Sequence, residues 1–264
     1  GLNYCGEIHI ADISIPEYWF EIKNSKLDED NKNCNSSKTF LLSNEFIKDL
    51  FPKKLPDSHK GSFGRLMTVC GSIGMSGAAS LASIGGLKSG AGLVTACVPN
   101  ELRDNLPGQS GEIITTSPKN ASEYFSEEHA EFVEQLSLVS DAIVMGCGLG
   151  VNSQTAKFVQ KISRHVKGPL LIDADGLNNL EKENLVERLD ISIITPHPLE
   201  LSRLCGKSVT EIQENRIATV RQLSKEWNVI LLLKGAYSVI GTPDSEIFIN
   251  PTGNYSLATA GSGD

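Results

Sequence analysis

No two cysteines in this chain stand at CxxC spacing, although it has 6 of them. That removes the common zinc and redox arrangements. Cys70 and Cys97 close the apolar runs LMTVC and LVTAC, so small buried thiols in a reducing compartment are the simpler reading. There is no HExxH, which argues against a zinc hydrolase. No apolar run approaches membrane-span length, and the chain does not open on a basic-then-apolar leader. Basic charge is also scarce. The 24 Lys and Arg stand against 32 Asp and Glu, a formal net charge of -8. Such a chain is a poor partner for nucleic acid or an anionic membrane, while a local basic pocket for a nucleotide stays compatible with it.

What is present is enough for a core. The chain has 264 residues, 40% hydrophobic and 21% charged, which suits one large domain or two smaller ones and argues against disorder. Residues 6–16, GEIHIADISIP, alternate at Ile8, Ile10, Ile13 and Ile15 and predict a strand or two. Residues 21–39, EIKNSKLDEDNKNCNSSKT, are rich in Asn, Ser, Lys and Asp and predict a linker or exposed loop. From Phe40 onward the texture changes. RLMTVCG, AGLVTACVP, DAIVMGCG, PLLIDAD, SIITPHP and VILLLKG read as strands. Helical patterns alternate with them, among them SGAASLASIGGLKSG, TAKFVQKISRHV and PLELSRLCG. SVTEIQENRIATVRQLSKEW predicts one long amphipathic helix headed by a Ser208–Glu211 capping box. YSVIG and EIFIN predict two short strands joined by a Thr-Pro-Asp-Ser turn. This rhythm predicts an α/β fold, a mostly parallel sheet with helices on both faces.

In such sheets ligands collect at the carboxyl ends of the strands, and the chemistry-bearing residues stand there. GSIGMSGAA, residues 71–79, and GCGLG, residues 146–150, each follow a strand. Glycines there let backbone N–H groups approach a phosphate, and a helix N-terminus favours negative charge. A tight turn that binds nothing has the same composition, and neither cluster has dinucleotide or P-loop spacing. Asp173 and Asp175 close a strand and suit a metal or a hydroxyl, but capping of the next helix by Asp175, near Asn178, is the simpler reading. His197 lies between Pro196 and Pro198, which hold it on a rigid turn, either toward a ligand or as a structural residue. Glu200 either shares that pocket or caps the helix. His9 and His165 read as surface residues, His59 as part of a polar approach to the first strand, and His129 as a member of an acidic helix. Lys234 ends an apolar strand, where it either meets a nucleotide or reaches solvent. In the terminal ATAGSGD, the N–H groups of a Gly261-Ser262-Gly263 turn suit a transferring phosphoryl group. Asp264 suits acceptance of a proton from an attacking hydroxyl. An ordinary glycine turn with a capping Asp is the alternative.

HKGSFGRLMTVCGSIGMSGAASLASIGGLKSGAGLVT resembles the opening of the NAD(P)H-hydrate dehydratase domain, and DAIVMGCGLG, LLIDADGLNNL, IITPHPLELSRLCG, LLLKGAYSVI and NPTGNYSLATAGSGD follow in that family's order. The resemblance covers roughly residues 40–264. The stretch GEIHIADISIP resembles the tail of the NAD(P)H-hydrate epimerase domain that precedes the dehydratase in bacterial fusion proteins. The implied organisation is an epimerase remnant at 1–20, a linker at 21–39 and an incomplete dehydratase domain at 40–264, with a ribokinase-like three-layer fold. The family continues past GSGD with a long helix, so the chain is expected to be a fragment cut at both ends.

The implied reaction is repair of NADH or NADPH that has taken up water on the nicotinamide ring. A nucleotide phosphorylates the ring hydroxyl, and the phosphate then leaves. By resemblance, Asp264 is the base. Gly261, Ser262 and Gly263 hold the transferring phosphate, and Lys234, Gly235, Ala236, Tyr237 and Ser238 contact the nucleotide. Ala78, Gly150, His197 and Glu200 line the hydrated-dinucleotide site. The resemblance implies ADP, with ATP as the alternative donor, and Mg2+, with no metal ligands assigned. It also implies a cytoplasmic homo-oligomer. Cys147 stands where the family has Pro in GPGLG, and Ser14 where it has Gly. Another ribokinase-like small-molecule kinase, for a thiazole or a pyrimidine, and a non-catalytic nucleotide-binding module are the competing readings.

Overall fold

The apolar runs become strands, and the segments between them become helices. In the computed structural model the described residues are 38–264, apart from 52–54, 105, 107–110, 122, 260 and 264. The epimerase-like stretch 1–20, the linker as far as 37, and with them Cys5, His9, Ser14 and Cys34, lie outside the described residues, as does Asp264. The chain order is β1 (Thr39–Leu41), α1 (Asn44–Leu50), β2 (Arg65–Val69), α2 (Ser76–Lys88), β3 (Leu93–Cys97), α3 (Asn100–Arg103) and β4 (Ile114–Thr116). It continues with α4 (Ala130–Ser137), β5 (Ala142–Met145), α5 (Ser153–His165), β6 (Leu170–Ile172), α6 (Asp175–Asn178), α7 (Lys182–Val186) and β7 (Ser192–Ile194). It closes with α8 (Pro198–Cys205), α9 (Val209–Glu214), α10 (Arg216–Glu226), β8 (Ile230–Leu233), β9 (Ser238–Gly241) and β10 (Ile247–Asn250).

Among the described residues the strands form one sheet in the order β1-β10-β9-β8-β7-β6-β5-β2-β3-β4. From β4 across to β8 every neighbouring pair is parallel. β9 runs antiparallel to β8 and to β10, as the hairpin reading expects. The order places a topological switch at β2. The chain moves from β2 to β3 and β4 on one side, then returns to β5 on the other. The crevice above such a point is where open parallel sheets hold ligands.

One face of the sheet carries the main core. Met67, Val69, Ile143, Met145, Leu170, Ile172, Ile194, Leu231 and Leu233 are all buried there, packed with Phe125, Phe158, Ile162, Val220 and Trp227. The amphipathic α5 supplies Phe158, Val159 and Ile162, and its Asn152 cap accepts from Gln154 and Thr155 N–H. On the opposite face α2 covers β2 and β3, where Thr68 Oγ1 meets Ser83 Oγ at 2.8 Å inside the packing. Further along that face Ala142, Val144, Leu171 and Leu232 are only half-buried and floor a groove of about 610 Å³.

The Ser208–Glu211 capping box forms as expected: Ser208 Oγ accepts from Glu211 N–H at 3.2 Å, and Glu211 accepts from Ser208 N–H at 2.8 Å. The long helix behind it does not stay whole. It breaks at Asn215, whose φ of -129 and ψ of 42 leave the helical region. An Asn tolerates such backbone better than most residues, and the break lets α9 pack on α8 while α10 packs on β8 and β9. The three cysteines 70, 97 and 147 are buried and Cys205 is half-buried, in line with the reading as core thiols. Burial pushes the Cys97 thiol far up, so it stays protonated.

His129 lies in an acidic helical stretch, as read. It ends a short 3-10 turn, Glu127–His129, ahead of α4, and its ring is buried. Nδ1 accepts from Ser126 N–H at 2.9 Å. Burial, partly offset by Glu128, lowers its pKa below 6.5, so the fold favours the neutral ring. The stabilisation is complete above the unfolded value near 6.5 and is lost as pH falls through the folded one. Denaturation series across pH should therefore show stability declining below about pH 6.5, and His129→Gln should flatten that part of the curve. An unchanged slope in the variant would assign the decline to other groups.

Candidate active site

Two glycine loops meet above the switch point. The first follows β2 and leads into α2; the second follows β5. Gly71 N–H donates to the Cys147 carbonyl at 2.9 Å, and Ser72 Oγ donates to the Gly148 carbonyl at 2.8 Å. Ala78, in the first turn of α2, is half-buried, and a Cβ on Gly148 would come within 2.9 Å of its own Cβ. Gly146 must be glycine. Its φ is 136, and a Cβ there would overlap the Asp173 carbonyl oxygen. That contact seats the second loop on the end of β6.

Gly150 is held from both sides. Its N–H donates to Asp175 Oδ2 at 2.9 Å, and its carbonyl accepts from Asn179 Nδ2 at 2.8 Å. Asp175 therefore does not cap the helix as the simpler reading expected, since α6 has no side-chain cap. It sits in the first turn of α6 and reaches across to the glycine loop, with Asn178 Nδ2 at 3.5 Å from its other oxygen. Ala174, the residue that enters α6, has no side-chain cap and a φ of 49. The Gly150 amide is thus spent within the protein, and what the loop offers a ligand is its other edge.

The second half of the site stands at the ends of β6, β7 and β8. Asp173 follows β6 and is buried; Glu200 lies in the first turn of α8, also buried. Lys234, just after β8, places Nζ 2.7 Å from Asp173 Oδ1 and 3.8 Å from Glu200 Oε2. Lys234 therefore does not simply reach solvent. Two buried carboxylates share one ammonium, which leaves one negative charge over at the strand ends. Lys234 N–H also donates to the Pro196 carbonyl at 2.9 Å, tying β8 to the turn after β7.

His197 caps α8. Its Nδ1 accepts from the Leu199 and Glu200 N–H groups at 3.1 and 3.2 Å, while Glu200 Oε2 accepts from His197 N–H at 2.7 Å. An Nδ1 that accepts carries no proton, so the neutral ring bears it on Nε2, 3.4 Å from Glu200 Oε1. The capping alternative for Glu200 is met, and the same carboxylate also faces Lys234 at 3.8 Å. The half-exposed face of the imidazole is what remains for a ligand.

Beyond Lys234, residues Gly235, Ala236 and Tyr237 form an exposed loop, and Ser238 opens β9. Gly261 has a φ of 79, and Ser262 Oγ donates to the Leu257 carbonyl at 2.6 Å. Gly263 lies over the lysine, where a Cβ would stand 3.8 Å from Lys234 Nζ. The structure thus links Lys234, Glu200 and His197 to one another and sets Gly263 over Lys234, while Ala78 and Gly150 belong to the two glycine loops. Asp173, read with Asp175 as suited to a metal or a hydroxyl, pairs instead with Lys234, and the sequence reading assigned no role to Asn179 or Arg216.

Removing the Asp175 carboxylate should free the Gly150 amide. Hydrogen exchange at Gly150 in Asp175→Ala should quicken by about tenfold or more while β5 keeps its protection. Unchanged exchange would show that the carboxylate does not hold the loop.

Comparison with known proteins places this arrangement. The family model for NAD(P)H-hydrate dehydratase matches residues 66–264. Over 268 residues the chain is 37% identical to the bifunctional NAD(P)H-hydrate repair enzyme Nnr of Moorella thermoacetica, a match that takes in 100% of this chain and 48% of that protein. Over 222 residues it is 37% identical to the ADP-dependent (S)-NAD(P)H-hydrate dehydratase of Neisseria meningitidis serogroup B, covering 81% of this chain and 70% of that one. The crystal structure of the ADP/ATP-dependent NAD(P)H-hydrate dehydratase from Bacillus subtilis, co-crystallized with ATP/Mg2+, superposes with a TM-score of 0.75 at 28% identity, over 85% of this chain and 76% of that one. The chain spans about half the length of the bifunctional relatives it matches. It belongs to the NAD(P)H-hydrate dehydratase family and has that family's ribokinase-like fold.

Proposed function

We propose that this protein restores hydrated NADH or NADPH by phosphorylating the ring hydroxyl from ADP, or from ATP, and releasing the phosphate. The observation that carries the reading is the placing of Lys234 Nζ between Asp173 and Glu200 and beside Gly263, in a groove that Cys147 and Asp173 also line. An ammonium held there by two carboxylates, with an ion carried in on the nucleotide to offset the excess negative charge, suits a transferring phosphoryl group, and the Gly261 and Gly263 N–H groups are donors to the same group.

Asp264 takes the proton of the ring hydroxyl in this reading. The hydroxyl oxygen forms a bond to the terminal phosphorus of the nucleotide as the bond to the departing nucleotide breaks. The ring carbon–oxygen bond then breaks with its electron pair going to phosphate, and loss of a ring proton restores the double bond. A phosphate leaves far more readily than hydroxide, which is the reason for the detour. Ala78, Gly150 and His197 with Glu200 line the dinucleotide side, and Lys234 to Ser238 the nucleotide side. A cytoplasmic location and a homo-oligomeric state come with the family reading.

Mg2+ binds through one or two carboxylates together with substrate phosphates and keeps several waters. Among the described residues no group of three or more His, Cys, Asp or Glu could hold a metal. The buried pair Asp173 and Glu200, with one lysine between them, fits an ion carried in on the nucleotide. Those two carboxylates would face it. Bound there, it would shield the phosphate charges during transfer.

Recovery of reduced-nicotinamide absorbance from hydrated NADH, with Mg2+ and either nucleotide, tests the reading on the full protein. Recovery with ADP, and a loss of about a hundredfold or more in kcat for Asp264→Asn, is the expected result. A stable phosphorylated product without reduced nicotinamide would instead make the protein a small-molecule kinase of the same fold.

A further inference from the structure

Arg216 opens α10, and its side chain crosses to the end of β8. Nη2 donates to the carbonyl oxygens of Leu233 at 3.1 Å and Lys234 at 3.4 Å, and Nη1 donates to Gln213 Oε1 at 2.8 Å. The guanidinium is partly buried, and loss of water lowers its pKa. Gly235 lies against it. A Cβ at this position would stand 3.0 Å from Nη1 and 3.3 Å from Nη2, and the φ of 140 is one that side-chain-bearing residues rarely adopt. The next carbonyl, that of Gly235, accepts from Ser238 Oγ at 3.0 Å.

Three successive carbonyls, of Leu233, Lys234 and Gly235, are therefore tied down. The N–H groups of Gly235, Ala236 and Tyr237 donate to no described residue. Successive amides left open on an exposed turn form a concavity suited to an anion or to ligand oxygens. What keeps the Leu233 and Lys234 carbonyls turned away is Arg216 Nη2, held in place by the Nη1 bond to Gln213, and a lysine has no second nitrogen to keep that anchor while it serves the carbonyls.

We propose that Arg216 is a positioning residue for the nucleoside diphosphate: it clamps the Leu233 and Lys234 carbonyls so that the Gly235–Tyr237 amides face the ligand. The inference rests on the nucleotide reading of the Lys234–Ser238 segment. It assigns Arg216 no contact with either substrate. Its effect is expected on the nucleotide, because Ala78 and Gly150 on the dinucleotide side are set by other elements and Lys234 Nζ stays anchored by Asp173.

Calorimetric binding of ADP with Mg2+, together with steady-state kinetics, tests this in Arg216→Ala, Arg216→Lys and Gly235→Ala. Both Arg216 variants should weaken ADP binding and raise its KM by about tenfold, with kcat at saturating ADP and the KM for hydrated NADH within about twofold. Gly235→Ala, which disturbs the same contact from the loop side, should show the same nucleotide-selective loss. Parent-like ADP affinity in Arg216→Ala or in Arg216→Lys would overturn the proposal. So would an equal weakening toward both substrates, which marks a merely structural role. Failure of the parent protein to bind ADP would overturn the nucleotide reading and this inference together, whereas ADP binding without turnover would remove only the dehydration chemistry.

Discussion

The ion pair between Lys234 and Asp173 is the contact on which the arrangement of the site depends. Its 2.7 Å separation ties the end of β8 to the end of β6 across the intervening strand. That strand contributes too, since the turn after β7 supplies the Pro196 carbonyl to Lys234 N–H and carries Glu200 at the head of α8. Two buried carboxylates without the lysine would be left uncompensated, a costly state in a low-dielectric setting. Lys234 thus ties three strand ends together and offsets one of the two carboxylate charges there.

Strand order decides what faces that charge. Because the chain returns to β5 beside β2, the loops that follow those strands diverge from one crevice and are stitched together through Gly71, Ser72, Cys147 and Gly148. Asp175 and Asn179 then fix Gly150 from below. The site consists largely of backbone held in unusual conformations by a few side chains. Glycine is needed where chains approach most closely, at Gly146 beside the Asp173 carbonyl and at Gly235 beside Arg216.

What could be read from the sequence was mostly local. The strands are continuous apolar runs because both faces of a parallel sheet are covered or partly covered, and such runs are visible without a partner. The Ser208–Glu211 box and the His197–Glu200 cap span three residues, so their spacing carries the whole interaction. The contacts between Asp175 and Gly150, Arg216 and Leu233, and Lys234 and Asp173 join residues 17 to 61 positions apart, and nothing in a linear pattern specifies them. The break at Asn215 was hidden for a similar reason. Helical periodicity runs through it, and only packing of α9 on α8 and of α10 on the sheet decides the bend. Asp264, the residue with the most explicit chemical role in the sequence, lies outside the described residues, and its part rests on the family pattern.

The most direct test of the account is a crystal structure of the protein with ADP and Mg2+. The account places the terminal phosphate against Lys234 Nζ and the amides of Gly261 and Gly263, with the nucleoside along the Gly235–Tyr237 loop. A nucleotide lodged instead in the apolar groove toward Arg65 and Asp141, away from Lys234, would contradict it.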